Sequence, residues 1–154
     1  MHARSRFVLE PRRSPQSNRA MFDLSSIRWA PVLTMVVASF VLGGVWYGPL
    51  FGKAWLSALG KNASDLRRPV LPFIVSIASG FVTSVVMALF VDEIGARTLI
   101  DGAVTGFAAG FGLVAMSTAS DMAFCRFSAR LWAIQSAYRV VLFVAMGATF
   151  AIWR

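Results

Sequence analysis

"RRPVLPFIVSIASGFVTSVVMALFVDE", Arg67 to Glu93, holds 23 consecutive residues without a formal charge between Arg68 and Asp92. A helix needs roughly 20 such residues to cross about 30 Å of hydrocarbon, and the run shows none of the apolar–polar alternation that a barrel strand would carry. Working outward, the same pattern recurs. There are 24 uncharged residues between Arg28 and Lys53, and 19 between Asp101 and Asp121. A fourth segment, "RLWAIQSAYRVVLFVAMGATFAIWR", Arg130 to Arg154, reaches the required length only with Arg139 inside it. The fold class expected is therefore all-α: an integral membrane bundle of four transmembrane helices over about 29–48, 70–91, 99–120 and 129–153, with a short interfacial amphipathic helix over about 50–60 after the first span.

Composition agrees. The chain of 154 residues suits one domain. It is 57 % hydrophobic and 14 % charged, with mean hydropathy +0.66, against roughly 45–50 % and 25 % in soluble domains. Four spans joined by short loops leave little soluble mass, so the formal charge of +8 reads as contact with lipid headgroups and as a topology signal, with no nucleic-acid partner. Cys125 is the only cysteine and His2, in the N-terminal tail, the only histidine. No internal disulfide, metal site or cofactor site is expected from that inventory.

Residues 1–26 form a basic, proline-containing tail, expected to be disordered; its first twenty residues, without helical periodicity, are read as a cytoplasmic tail, a targeting signal or an extension upstream of a true start at Met21. Arg12 and Arg13 resemble a twin-arginine signal but lack a following apolar region. The side of the membrane holding the N-terminus carries Arg4, Arg6, Arg12, Arg13, Arg19, Arg28, Arg97 and Arg154; the other carries Lys53, Lys61, Arg67, Arg68, Arg126 and Arg130. With a start at Met21 the balance reverses to three against six, which places both termini outside.

The first span runs into "WYGPLFGKAW", Trp46 to Trp55. Pro49 lacks a backbone donor and disfavours helix at Gly48, so the span is expected to end there. Phe51, Trp55, Ala58 and Leu59 then share one face, with Lys53, Ser57 and Lys61 elsewhere, as in a helix lying in the headgroup plane. Trp46, Tyr47, Gly48, Pro49, Gly52, Lys53 and Trp55 read as a membrane-surface corner, either a structural anchor or the rim of a ligand pocket. Trp29, Trp132 and Trp153 also fall near span ends, where amphipathic rings settle.

"WYGPLFGKAW" resembles the signature of small four-span bacterial membrane proteins grouped as domain of unknown function 1761. "DGAVTGF", Asp101 to Phe107, and "AYRVVLFVAMG", Ala137 to Gly147, extend the likeness, which covers about Ile27 to Arg154. The resemblance implies the four-span architecture and an address in the cell inner (plasma) membrane, and it brings no activity and no catalytic residues.

Small residues recur at every fourth position in two spans: Ser76, Gly80, Ser84 and Ala88 in the second, Gly102, Gly106 and Gly110 in the third. Helices in lipid associate largely through close backbone approach over such residues, so spans two and three are expected to pack on each other along these stripes. Ionisable groups at membrane depth are candidates for function. Asp101 and Asp121 fall at opposite ends of span three, roughly 30 Å apart and too far to act as a pair. Gln135 and Arg139 form a polar stripe one turn apart in span four. Arg139 is expected to point toward the end that carries Asp121 and to pair with it, or to snorkel to headgroups.

No histidine lies in the spans, and no cysteine pair, close carboxylate pair or phosphate-binding glycine loop is present; an enzyme is not expected. Two readings stand. One is a non-catalytic accessory, assembly or envelope component, acting alone, as a homo-oligomer or with a membrane protein partner. The other is a small oligomeric transporter or ion-coupled permease using Asp101, Asp121 and Arg139, although the first span contains no charge that could serve it.

Overall fold

The computed structural model describes Leu24, residues 27–62, Ser64 and residues 70–153. The basic tail, Arg67, Arg68 and Pro69 lie outside the described residues. Among the described residues five helices follow one another: α1 (Trp29–Leu50), α2 (Gly52–Leu59), α3 (Val70–Ile94), α4 (Leu99–Cys125) and α5 (Ala129–Ile152). All but the eight-residue α2 are long and apolar enough to cross a membrane.

The ends of these helices follow from local chemistry. Pro31 sits in the first turn of α1, where its missing N–H removes no helical bond. Thr98 caps α4: its hydroxyl accepts the Asp101 N–H at 3.1 Å and donates to the Asp101 carboxylate at 2.7 Å. That is a reciprocal cap, with the acid placed at the positive end of the helix dipole. Gly95 ends α3 at φ +73°, and Ala96 N–H reaches back to the Val91 carbonyl at 3.1 Å, the bond pattern of a left-handed helix stop. Ser128 occupies the N-cap position of α5 but contributes only its carbonyl, which accepts from Trp132 N–H at 3.0 Å.

Two places depart from α geometry, and both correct the simpler expectation. Pro49 does not end the first span at Gly48. The chain widens into a π turn over Trp46–Leu50, in which Phe51 N–H bonds the Trp46 carbonyl at 2.9 Å. The wider turn gives the proline ring room against the preceding turn, which an α register would deny it. In α4 a second π segment, Ala108–Ala115, interrupts the helix. The indole N–H of Trp132 donates to the Ala115 carbonyl at 3.2 Å, and Thr118 Oγ1 bonds the carbonyls of Val114 and Ala115. These side chains supply partners where the backbone ladder is out of step.

The bundle is organised around α5, which buries Leu131, Ile134, Ser136, Leu142, Met146, Gly147, Phe150 and Ala151. Its most extensive contact is with α4, and it also packs on α3 and α1. A methyl group at Gly102 would strike the Gly147 carbonyl, and one at Gly106 would strike the Phe143 carbonyl. At Gly110 it would lie 2.9 Å from the Phe143 Cβ. The glycine stripe of α4 thus faces α5, and the expectation that it packs on the second span is corrected. The physical reason lies in α5, where Gly147 and Ala151 continue the small-residue surface on the opposing side.

The stripe of α3 behaves differently along its length. Ser76 is exposed, a Cβ at Gly80 would meet the Ser39 Oγ of α1 at 3.4 Å, and Ser84 is fully buried. Below it Met87 and Val91 join Val32 and Met35 of α1 and Met146 and Phe150 of α5 in the apolar core. Residues 70–79 of α3 are exposed on every side.

Candidate functional site

The corner after α1 gathers the chemistry-bearing residues. Because the π turn rotates Trp46 and Tyr47 toward α5, both rings meet Tyr138, at centroid distances of 6.1 and 5.3 Å. Trp46 also tilts over Phe51 at 4.7 Å, and Trp55 of α2 sets its edge against Tyr47 at 5.4 Å. Such tilted and edge arrangements suit the ring quadrupoles. Two long-range bonds hold the group in place. The Trp46 indole donates to the Ile134 carbonyl at 3.1 Å, and the Tyr138 hydroxyl donates to the Ser39 carbonyl at 3.1 Å.

The small residues of the motif have separate duties. Gly52 opens α2 so close to the π turn that a Cβ would lie 2.7 Å from the Tyr47 carbonyl. Gly43 leaves room for the Tyr138 hydroxyl, which would stand 3.4 Å from a methyl there. Gly48 and Pro49 are exposed at the bend, and nothing crowds Gly48. Lys53 is exposed and, with Leu56, Ser57, Gly60, Lys61 and Asn62, lines a shallow depression on the outer face of α2.

Trp46 meets α5 at Ile134 and Tyr138, so the first turn and more of α5 projects past the corner. Arg139, next to Tyr138 in the chain, lies deeper along α5 than that contact, since the Tyr138 hydroxyl reaches Ser39 and abuts Gly43 of α1. It is half-buried. Gln135 is half-buried one turn away.

The expected pairing of Arg139 with Asp121 is not made. Among the described residues no ion pair joins the two; Asp121 is exposed near the end of an α4 that runs on to Cys125, a turn beyond its expected end. The aromatic corner claims the α5 face next to Arg139, and the extension of α4 carries Asp121 outward. Asp101 is engaged as the capping partner of Thr98. Among the described residues no three of His, Cys, Asp and Glu gather to hold a metal ion.

Two members of this site were not singled out from the sequence. Tyr138 joins the corner to α5, and its signal was present in the "AYRVVLFVAMG" motif that contains it. Trp132, read as a belt residue, donates to the backbone of α4; an indole near a span end gives no sign of which acceptor it will find.

The geometry defines a class: a helical protein of four membrane-length, apolar helices packed around α5, with an aromatic corner that joins α1 and α2 to it. Residues 30–151 match the family described as "Protein of unknown function (DUF1761)". The match spans most of the chain, and the chain belongs to that family. No curated protein and no solved structure matches it.

Proposed function

We propose that the protein is a non-catalytic component of the cell inner (plasma) membrane, acting as an accessory, assembly or envelope subunit and working through contacts with lipid, with copies of itself or with a membrane protein partner. The observation that carries this reading is the α4–α5 seam. Glycine backbones lie directly against the facing helix at Gly102, Gly106 and Gly147, which leaves no space for a solute path between these two helices. The only buried polar side chains among the described residues are Ser39, Ser84 and Ser136, and a serine without a base is a weak nucleophile.

The reading is tested by purifying the full chain from its own membranes for native mass spectrometry and by reconstituting it in liposomes. A stoichiometric foreign subunit, with liposomes no leakier to protons and small ions than empty ones, is the expected result. Flux that Asp101→Asn or Arg139→Gln abolishes would overturn the reading in favour of a small oligomeric transporter.

A further inference from the structure

The outer surface of α2 differs from that of the long helices. Those expose apolar residues, such as Leu33, Val37 and Val41 on α1, whereas the exposed positions of α2 are Lys53 and Ser57. α2 turns its apolar side inward: Trp55 sets its edge against Tyr47, and the helix packs on the π turn and on α5. A short helix arranged this way at the end of a span settles at headgroup depth, with its polar face toward phosphates and water.

That face is also concave. Lys53, Ser57 and Lys61 follow one another at intervals of four residues and so share one side of the helix. With Leu56, Gly60 and Asn62 they line a depression of about 440 Å³. Gly60 shapes it. At φ +65° this residue ends α2, and the Lys61 N–H turns back onto the Leu56 carbonyl at 3.1 Å, which brings Lys61 and Asn62 round into the wall.

The chemistry of the depression selects its occupant. Among the described residues the side chains of Lys53, Ser57 and Lys61 make no hydrogen bond or ion pair, and the carbonyls of Leu56 and Ser57 already accept from Lys61 and Gly60. What remains open is two ammonium groups and, between them, a hydroxyl. The two lysines start roughly 12 Å apart along the axis, a span that their long side chains can close from both ends onto one anion at Ser57. The sequence from Lys53 to Arg68 adds Arg67 and Arg68 against the single acid Asp65. Such a surplus draws anionic headgroups to a membrane surface, and lysine binds phosphate as a point charge.

We propose that Lys53, Ser57 and Lys61 form a binding site for the phosphate of an anionic phospholipid, seated in the depression on the outer face of α2. The inference shares with the proposed function only the placement of the chain in a bilayer. A failed lipid titration would leave the capture of a foreign subunit untouched, and flux measurements do not bear on the site.

The test is native mass spectrometry of the delipidated full chain titrated with phosphatidylglycerol, phosphatidylcholine or soluble glycerol phosphate. The expected result is a tightly held phosphatidylglycerol, a much weaker phosphatidylcholine adduct, and no retained glycerol phosphate. Lys53→Gln combined with Lys61→Gln is expected to weaken the phosphatidylglycerol adduct roughly 25-fold, about fivefold for each lysine at a membrane surface. Ser57→Ala leaves the charge unchanged and should weaken it about threefold, the loss of one hydrogen bond. Arg126→Gln combined with Arg130→Gln removes as much charge from two exposed positions that do not line the depression, and should change binding by less than about twofold. Since all five positions are exposed, the lipid-free unfolding temperature should not move in any variant. Undiminished binding by the lysine double variant, an equal loss from the arginine double variant, equal retention of phosphatidylcholine, or retention of glycerol phosphate in place of lipid would each overturn the site.

Discussion

The stripe of Gly102, Gly106 and Gly110 and the stripe of Ser76, Gly80 and Ser84 share one spacing and meet different fates. The first is pressed against α5 so closely that no Cβ fits at Gly102 or Gly106. The second starts exposed at Ser76, grazes α1 at Gly80 and is fully buried only at Ser84. Small residues every fourth position permit close approach, but an approach takes two surfaces. α5 answers the first stripe with Gly147 and Ala151, whereas the upper half of α3 has no described helix covering it. The four-residue spacing is a licence for contact, and the partner decides whether it is used.

The hardest blow to this contrast is Gly106→Leu. Its side chain would begin inside the Phe143 backbone, which cannot swing away as a side-chain tip can. A loss of about 3 kcal/mol or more is expected, read as a large drop in the unfolding temperature in detergent. An unchanged temperature would mean that the seam is not the main interface.

A smaller effect of opposite sign is expected at Ser84→Ala. The Ser84 hydroxyl is fully buried and has no hydrogen-bond partner, and its removal relieves an unsatisfied polar group at almost no change in volume. A gain of up to about 1 kcal/mol should appear in chemical or thermal unfolding; a loss would show that the hydroxyl is satisfied in the membrane. Ser76→Leu should be nearly silent, within about 0.5 kcal/mol, because the position is exposed and its neighbours are apolar. If Ser76→Leu proved as damaging as Gly106→Leu in a native membrane, the free half of α3 would be an interface after all.

Much of this architecture is legible in the residues. The charge-free runs locate three of the long helices and a run broken only by Arg139 locates the fourth, since the cost of burying charge in lipid is large enough to outweigh local propensity. The corner at Trp46–Trp55 is legible for a similar reason, because proline, glycines and aromatics each carry a local constraint. The partner of the Gly102–Gly110 stripe was not legible. It depends on Gly147 and Ala151, a pair spaced by four in α5 whose role emerges only once two helices are juxtaposed. The π turn at Pro49 escaped because a proline forbids one register without saying which other the chain will take. Arg139 was visible as an anomaly, but its depth is set by where the corner touches α5, a tertiary fact.

The central place of α5 has a consequence for biosynthesis. The helix on which α1, α3 and α4 all pack follows the other three along the chain, so a ribosome delivers the first three spans before their common support exists. α4 and α5 are separated by only Arg126–Ser128, and they leave the insertion machinery as a hairpin whose glycine seam can close at once. α1 and α3 pack on each other, but the α5 part of their shared core arrives only with that hairpin. A lesion in α5 therefore removes a packing surface shared by every long helix made before it.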